Sequence, residues 1–302
     1  MDKVLKKKKS INCSFSDRIF SLINTTFLIF MLLIVLCPLW YIICCSFSSG
    51  YAVSTGKVTF YPIEFNLEGY KAVFEYEPVL TGYFNSLIYT IFGTLLNVFM
   101  TILAAYPLSR KDMAGHGILT FIFTFTMFFS GGMIPSYLLV KDLGLLDTRW
   151  AMILLTALSV YNVIIAKTYF HSNIPTELLE AARIDGCNDF RFLISMVLPL
   201  SGAIIAVLTL FYAIGNWNSY FNALIYLNDR KLFPLQLALR DVLVANNFDA
   251  AQINLEDMAS KNELKTLLKY STIVASSLPL MIVYPFVQKH FVKGVMIGSL
   301  KG

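Results

Sequence analysis

Residues 180–199 read EAARIDGCNDFRFLISMVLP, a short mixed-charge stretch that lies between two long apolar runs. The chain has 302 residues, of which 57% are apolar and 14% are charged, whereas about a quarter of the residues of a soluble domain are charged. This composition indicates that lipid surrounds most of the chain. The mixed-charge stretch is therefore expected outside the bilayer, where another protein can bind it.

Six apolar stretches are long enough to cross a bilayer, for which a helix needs about 20 predominantly apolar residues. None of the six contains Asp, Glu, Lys or Arg. The first is longer than the apolar core of a cleaved signal, which has about 7–15 residues, so we expect it to be retained. We therefore predict an all-α integral membrane protein with six transmembrane helices. The predicted spans are Ile19–Cys45, Gly82–Tyr106, Ile118–Val140, Trp150–Ala166, Ser201–Leu227 and Tyr270–Val287.

Basic residues in the short segments indicate the orientation, because lysine and arginine concentrate in cytoplasmic loops. Such residues occur in the N-terminal tail, in the loop after the second span and in the C-terminal tail. This pattern predicts a multi-pass protein of the cell (plasma or inner) membrane, with both termini and residues 180–199 in the cytoplasm. The long connection after the fifth span is also basic, but long loops carry little weight in this rule. Its basic residues are Arg230, Lys231, Arg240, Lys261 and Lys265.

The chemistry that the chain lacks also narrows its function. It contains no G-x-x-x-x-G-K-S/T phosphate loop, no H-E-x-x-H and no G-x-S-x-G, so we expect no enzyme and no cofactor bound by this chain. Its cysteines have no metal-ligand spacing, and we expect no metal site. Ion-driven carriers place ionisable residues within the membrane, and the predicted spans have none. A partner must therefore supply the energy for any transport.

The segment from Pro175 to Gly186 predicts a helix of about three turns. Proline suits a first turn, early acids such as Glu177 favour the positive end of a helix, and glycine stops it. Asn188 can cap a second helix, which Pro199 then interrupts.

So short a helix is marginal in water, so we expect it to gain order by docking on another surface. Leu178, Ala181 and Ala182 permit close approach, and Glu180 and Arg183 can pair with charges on that surface. From physical reasoning alone, an amphipathic connector with a charged surface is the alternative, and the spacing does not decide between the two.

The same residues resemble a known family. Glu180-Ala181-Ala182, three residues, Gly186, nine residues and then Met196–Pro199 are similar to the EAA loop of the permeases of ATP-binding-cassette (ABC) importers. The pattern of that family is EAA, three residues, G, nine residues and I-x-L-P, from which only Met196 departs. Asp185 before the glycine suits the carbohydrate-uptake branch.

The resemblance covers most of the chain from about Phe60. MIPSYLLVKDLGLLDTRWAMIL, residues 133–154, resembles the connection between the third and fourth helices of this family. QKHFVKGVMIGSLKG, residues 288–302, is similar to the ending of sugar permeases, particularly those associated with polysaccharides and oligosaccharides.

This resemblance implies a type I ABC importer permease fold with a cytoplasmic coupling helix. It implies a homologous second permease, two ABC ATPase subunits that use ATP and magnesium, and an extracytoplasmic sugar-binding protein or lipoprotein. A sugar substrate and membrane lipid are the other expected partners, and nucleic acid is not. The expected regions are a basic cytoplasmic N-terminal tail (1–18), the first helix and an extracytoplasmic segment (19–80), a permease core (81–290) with the EAA loop at 175–199, and a cytoplasmic C-terminal tail (291–302).

Two sets of residues are implied to contact the ATPases. The coupling helix contributes Glu180, Ala181, Ala182, Arg183, Asp185 and Gly186. The C-terminal tail contributes Lys293, Gly294, Gly298 and Lys301, although a flexible basic end or a G-x-x-x-G helix contact is the alternative for this tail.

Aromatic rings beside amides suit a sugar, which has apolar C–H faces and many hydroxyls. The candidate residues for the substrate path are therefore Asn216, Trp217, Asn218, Tyr220 and Asn85. The alternative is the aromatic belt of an ordinary spanning helix. The connection from Asn228 to about Lys269 is expected to carry helices of its own and to dock the binding protein or pack on the sister permease.

We therefore predict the permease subunit of an ATP-driven sugar importer. A permease of the same architecture for amino acids or peptides is the alternative within transport, and an integral-membrane enzyme is the alternative outside it. The residues do not identify which sugar is carried.

Overall fold

In the computed structural model, the residues described are 15–244, 263–282 and 285. They form helices and connections, with no strand among them. A π turn (Leu193–Val197) precedes α11, and a 3₁₀ turn (Arg230–Leu232) precedes α14. The α-helices are α1 (Phe15–Ser46), α2 (Gly50–Ser54), α3 (Glu68–Glu75), α4 (Glu77–Ser109), α5 (His116–Phe128), α6 (Met133–Asp142), α7 (Arg149–Leu154), α8 (Val160–Asn173), α9 (Thr176–Ile184), α10 (Asp189–Phe192), α11 (Leu198–Leu200), α12 (Gly202–Trp217), α13 (Phe221–Tyr226), α14 (Leu235–Val244) and α15 (263–282).

Helix α4 is the central element of the bundle. Its 33 residues span about 50 Å at the rise of an α-helix, and α7, α8, α12 and α14 all pack against it. Small residues let these neighbours approach closely. A Cβ atom on Gly82, for example, would lie 3.0 Å from Cα of Leu235 in α14. Because α4 reaches both ends of the bundle, it positions the connections at each end.

Helix α1 contrasts with α4, because residues 15–40 are all exposed. Its last turns join the rest of the chain, where Trp40 Nε1 donates to the Phe60 carbonyl over 2.8 Å and Cys44 and Cys45 pack with Val53 and Leu267 in an apolar cluster. A helix whose apolar residues face outward all round is covered by lipid or by another apolar surface.

Within the described residues, two helices, α1 and α4, are long and apolar enough to cross a membrane. They contain the first two predicted spans. Two bent pairs raise the number to four if each pair is one span: α5 with α6, bent by 110°, and Asp189–Leu200 with α12, bent by 84°. The sixth predicted span begins within α15 and continues beyond residue 282, where only residue 285 is described.

The third, fourth and fifth predicted spans are each interrupted, which the apolar pattern did not indicate. The third divides at Gly131 and Gly132, and Gly132 has a φ of 88° that favours glycine. The fourth predicted span has no helix from residue 155 to residue 159. Within the fifth predicted span, the first helix ends at Trp217. Hydropathy does not detect such breaks because the residues on both sides of them remain apolar.

Side chains from α4 and α12 pair with two backbone groups of the break at 155–159. The amide of Asn97 donates to the Thr156 carbonyl, and the Ser159 N–H donates to the Tyr212 hydroxyl over 3.2 Å. Asn216 Nδ2 donates to Asn97 Oδ1 over 2.9 Å, and both amides are buried. An interrupted helix at membrane depth requires such partners, because lipid supplies none. The neighbouring helices therefore stabilise this break.

The connection after the fifth predicted span contains helices, as predicted, up to Val244. The 3₁₀ turn and α14 lie against the first half of α4. Residues 245–262 lie outside the described part of the chain.

Gly93 provides a test of this buried amide arrangement. A Cβ atom there would lie 2.8 Å from Asn216 Nδ2, so Gly93→Ala is expected to displace the amide and lower stability by about 1–3 kcal/mol. Gly215→Ala, in the neighbouring α12 with open space around its Cβ, is the matched control and should change stability little. Thermal unfolding of the purified assembly measures both, and equal midpoints would contradict the arrangement.

Candidate coupling site and substrate path

Helix α9 has the glycine stop that its sequence predicts. The Gly186 N–H donates to the Arg183 carbonyl over 3.0 Å, and the Cys187 N–H donates to the Ala182 carbonyl over 2.9 Å. This pair of bonds is a Schellman motif, and Gly186 adopts the φ of 75° that the motif requires. A Cβ atom at Gly186 would meet nothing within 4 Å. Within this chain, Gly186 therefore serves the backbone turn.

The second predicted cap is confirmed as well. Asn188 Oδ1 accepts from the Arg191 N–H over 2.8 Å at the start of α10. The following helix contains a π turn in which the Leu198 N–H bonds to the Leu193 carbonyl. Pro199 has no N–H to continue the ladder, and the helix ends one residue later, at the 84° bend.

The two faces of α9 differ. Leu179 and Ala182, three residues apart, are 1% and 6% exposed and pack in the bundle core. Glu180 and Ala181 are exposed, and Ile184 is 86% exposed. The prediction that Ala182 meets a partner surface is therefore wrong for this conformation, because helical spacing turns it inward.

Sequence reasoning missed Ile184 as a candidate. Its apolar side chain is followed by the Schellman turn, and Phe190, beyond that turn, is 65% exposed. The available signal was helical periodicity, since Ile184 lies four residues after Glu180 and on the same face. The outward face of α9 thus offers a carboxylate, a small residue and an apolar residue.

Arg183 is paired within the chain. Its Nη2 lies 2.9 Å from Asp112 Oδ2 and 3.3 Å from Asp189 Oδ1, and Arg110 Nε lies 3.3 Å from Asp112 Oδ1. Arg183 is thus held by two carboxylates of its own chain, and its pairing with a partner surface stays a prediction. We call these four residues the α9 brace, because they join α9 to the loop after α4 and to α10.

The pKa values of the brace follow from this geometry. Desolvation alone would raise the pKa of the Asp112 carboxyl, but the charge of Arg110 and the hydrogen bond from Arg183 lower it. The hydrogen bond to Asp112 raises the pKa of Arg183. Both groups are therefore charged near neutral pH.

A cleft of about 260 Å³ lies beside the brace, between the end of α4, the end of α8 and α9. His171 Nδ1 lies 3.3 Å from the Ser109 carbonyl at its edge. Among the described residues, no three His, Cys, Asp or Glu side chains converge as a metal site would require. The side chains that line the cleft include Tyr106, Arg110, Lys111, His171, Glu180 and Arg183.

The structure separates the predicted path residues into buried and exposed ones. Asn216 belongs to the buried amides described above, and Trp217 is 3% exposed, with its Nε1 donating to the Ser276 carbonyl over 3.3 Å. Asn218 and Tyr220 lie on the surface. Asn85 is buried elsewhere on α4 and donates to the Lys231 carbonyl over 2.7 Å.

The predicted tail contacts are not among these residues. Lys293, Gly294, Gly298 and Lys301 lie outside the described part of the chain, as do residues 1–14 of the basic N-terminal tail.

Apolar helices pack around the long central helix α4, and the short, braced helix α9 is exposed at one end, as expected of a membrane-embedded protein. Residues 14–297 match the family described as binding-protein-dependent transport system inner membrane component. The chain belongs to this family, which confirms the resemblance of its EAA segment.

Relatives cover nearly the whole chain. It is 41% identical over 287 residues to the "Polygalacturonan/rhamnogalacturonan transport system permease protein YtcP" of Bacillus subtilis (strain 168), covering 95% of this chain and 99% of the relative. It is also 41% identical to "Protein LplC" of the same organism, with 95% and 96% covered.

A solved structure has the same fold. It is titled "Crystal structure of a bacterial ABC transporter involved in the import of the acidic polysaccharide alginate", and one of its chains is 37% identical to this one, with a TM-score of 0.83. The match covers 92% of this chain and 98% of that chain. The all-helical type I ABC permease fold is thereby confirmed.

The α9 brace can be tested by amide hydrogen exchange. Asp112→Asn removes the charge that Arg183 contacts, so the amides of α9 are expected to exchange about two- to fivefold faster, the change typical for loss of an exposed ion pair. Because the pKa of Asp112 is lowered, the wild-type pairing is complete at neutral pH and is lost only as the pH falls through that lowered pKa.

Arg191→Gln is the control for this test, since Arg191 is exposed on α10 and forms no ion pair among the described residues. Unchanged exchange of α9 in Asp112→Asn, or the same acceleration in Arg191→Gln, would contradict the bracing role.

Proposed function

We propose that the chain is the transmembrane permease subunit of an ABC importer that carries oligosaccharides or polysaccharides across the cell membrane. The observation that carries this proposal is the near full-length similarity to a polygalacturonan/rhamnogalacturonan permease and to a chain of the alginate importer. Because these relatives are transport proteins, a role in transport is favoured over enzyme catalysis.

The proposal includes six membrane crossings, with each interrupted span crossing once and both termini in the cytoplasm. The chain pairs with a homologous permease, and the exposed apolar surface of α1 suits burial in lipid or against that partner. Two ABC ATPases use ATP and magnesium, while this chain binds neither. An extracytoplasmic sugar-binding protein delivers the substrate.

Helix α9 is the coupling helix in this proposal. Glu180, Ala181 and Ile184 face the ATPase, while Arg183, Asp185 and Gly186 hold the helix in place and end it. Only Ile174 and Pro175 separate α9 from α8, and Leu179 and Phe170 of the two helices share one core cluster. Helices α8 and α9 therefore move as one lever when the ATPases close on ATP.

The joint of this lever is the break at 155–159. The buried polar side chains of α4 and α12 hold its backbone, so α8 can tilt without leaving unpaired N–H groups in lipid. Of the predicted path residues, Asn218 and Tyr220 have side chains exposed to meet a sugar, and Asn216, Trp217 and Asn85 shape the surrounding wall. The C-terminal tail remains proposed as a second contact with the ATPases.

Uptake measurements test the function directly. A strain that lacks this chain is expected to lose energy-dependent uptake of labelled oligogalacturonides, and the restored gene is expected to return it. Unchanged uptake of these and of neutral oligosaccharides in the deletion strain would contradict the proposal.

The outward face of α9 predicts a pattern of crosslinks. A single cysteine at Glu177, Glu180 or Ile184 is expected to crosslink to the ATPase, because these positions are exposed on one side of the helix. A cysteine at Leu179 or Ala182 is the matched control and should not react, because both positions are buried. Endogenous cysteines are replaced first. Equal capture from both sets would show that α9 does not dock through this face.

A further inference from the structure

Basic side chains gather at the end of the bundle opposite α9. Arg149 begins α7, and Arg230 and Lys231 form the 3₁₀ turn. All three are exposed. In the orientation proposed above they lie on the outer side of the membrane.

The turn that carries two of these residues is fixed to α4. Asn85 Nδ2 donates to the Lys231 carbonyl over 2.7 Å and to the Phe233 carbonyl over 3.0 Å. The Tyr89 hydroxyl donates to the Leu232 carbonyl over 2.7 Å. Asn85 and Tyr89 are both buried, so the backbone of the turn has a defined place.

Arg149 is oriented by the same amide. Its Nη2 donates to Asn85 Oδ1 over 3.4 Å. A guanidinium has five N–H donors, so most of them stay available on this exposed side chain. One buried side chain, Asn85, thus joins Arg149 to the turn that carries Arg230 and Lys231.

The nearby carboxylates are directed at backbone donors. Asp147 Oδ1 accepts from the N–H groups of Asn228 and Asp229 over 2.9 and 2.8 Å, and these bonds lower the pKa of Asp147. Asp229 Oδ1 accepts from the Lys231 N–H over 2.9 Å. In the described part of the chain, no ion pair links either carboxylate to the three basic side chains.

We propose that Arg149, together with Arg230 and Lys231, binds the carboxylate groups of an acidic saccharide as it enters the permease. This inference rests on the proposed function and names its substrate class as uronate-containing chains. A positioned guanidinium binds a carboxylate through two parallel hydrogen bonds, and a neutral sugar has no such group. The basic turn supplies positive charge for the neighbouring uronate.

The alternative is that these three basic side chains contact an acidic surface of the binding protein. Charges at the rim of a protein contact mainly speed association and do not require a fixed orientation. Here the buried side-chain amide of Asn85 contacts both Arg149 and the basic turn. Such fixed positions suit the recognition of a small planar carboxylate. The geometry therefore favours the saccharide.

The test uses the complete importer with its binding protein in liposomes, supplied with a labelled oligogalacturonide or with its methyl ester, which has no charge. Arg149→Gln is expected to raise the oligogalacturonide concentration for half-maximal uptake about tenfold, the loss typical for one charge-assisted hydrogen bond. Uptake of the methyl ester should change little. Arg149→Lys keeps the positive charge but cannot form two parallel hydrogen bonds with a carboxylate. Its half-maximal concentration should therefore lie between those of the wild type and Arg149→Gln.

Two further variants complete the test. The double variant Arg230→Gln, Lys231→Gln is expected to weaken uptake of the oligogalacturonide selectively as well. Arg240→Gln is the matched control, because Arg240 is exposed on α14 and lies outside this group. Co-purification with the partner subunits shows that each variant assembles.

The outcomes separate the two proposals. If the wild type imports neither of these saccharides nor neutral oligosaccharides, the proposed function itself fails, and if it imports neutral oligosaccharides alone, only the carboxylate site is overturned. If the wild type imports both equally, or if Arg149→Gln impairs both equally, the carboxylate site is overturned while the function stands. An equal loss together with weaker stimulation of ATP hydrolysis by the sugar-free binding protein would assign these charges to protein docking instead.

Discussion

The need to satisfy every backbone polar group within lipid is the constraint on which this structure depends. A continuous helix meets it alone, as α1 and α4 do. The break at 155–159 meets part of it through the buried side chains of Asn97 and Tyr212, and Asn216 donates to the Asn97 amide. Without them, the open segment at 155–159 would leave unpaired groups, each of which costs several kcal/mol in lipid. These buried side chains of α4 and α12 therefore permit the break in the bundle.

The same helix links the two ends of the molecule. Near its start, Asn85 holds the basic turn and Arg149. At its other end, Arg110 joins the brace that positions α9. About 35 Å of helix separates these two sites, which is close to the thickness of the hydrocarbon core. Any movement of α8 and α9 against α4 must therefore break the contact between Arg183 and Asp112 in the α9 brace.

The sequence predicted those parts of the architecture that depend on a local motif or on a proline or glycine. The family follows from the EAA spacing, and α9 and its glycine stop follow from Pro175 and Gly186. Hydropathy located the apolar segments but not their breaks, because residues 155–159 are as apolar as their neighbours. The inward position of Ala182 could have been derived from helical periodicity. The pairing of Arg183 with Asp112 could not, since the two residues are 71 apart in sequence.

The most direct test of the account is a pair of spin-label distances in the reconstituted importer, with and without ATP trapped at the ATPases. Labels at Ile184 and Tyr161 report on the lever formed by α8 and α9, and labels at Ile184 and Leu80 report on its position relative to α4; all three positions are exposed. The account predicts a constant distance from Ile184 to Tyr161 and a changed distance from Ile184 to Leu80. A changed distance within the lever, or an unchanged distance to α4, would contradict it.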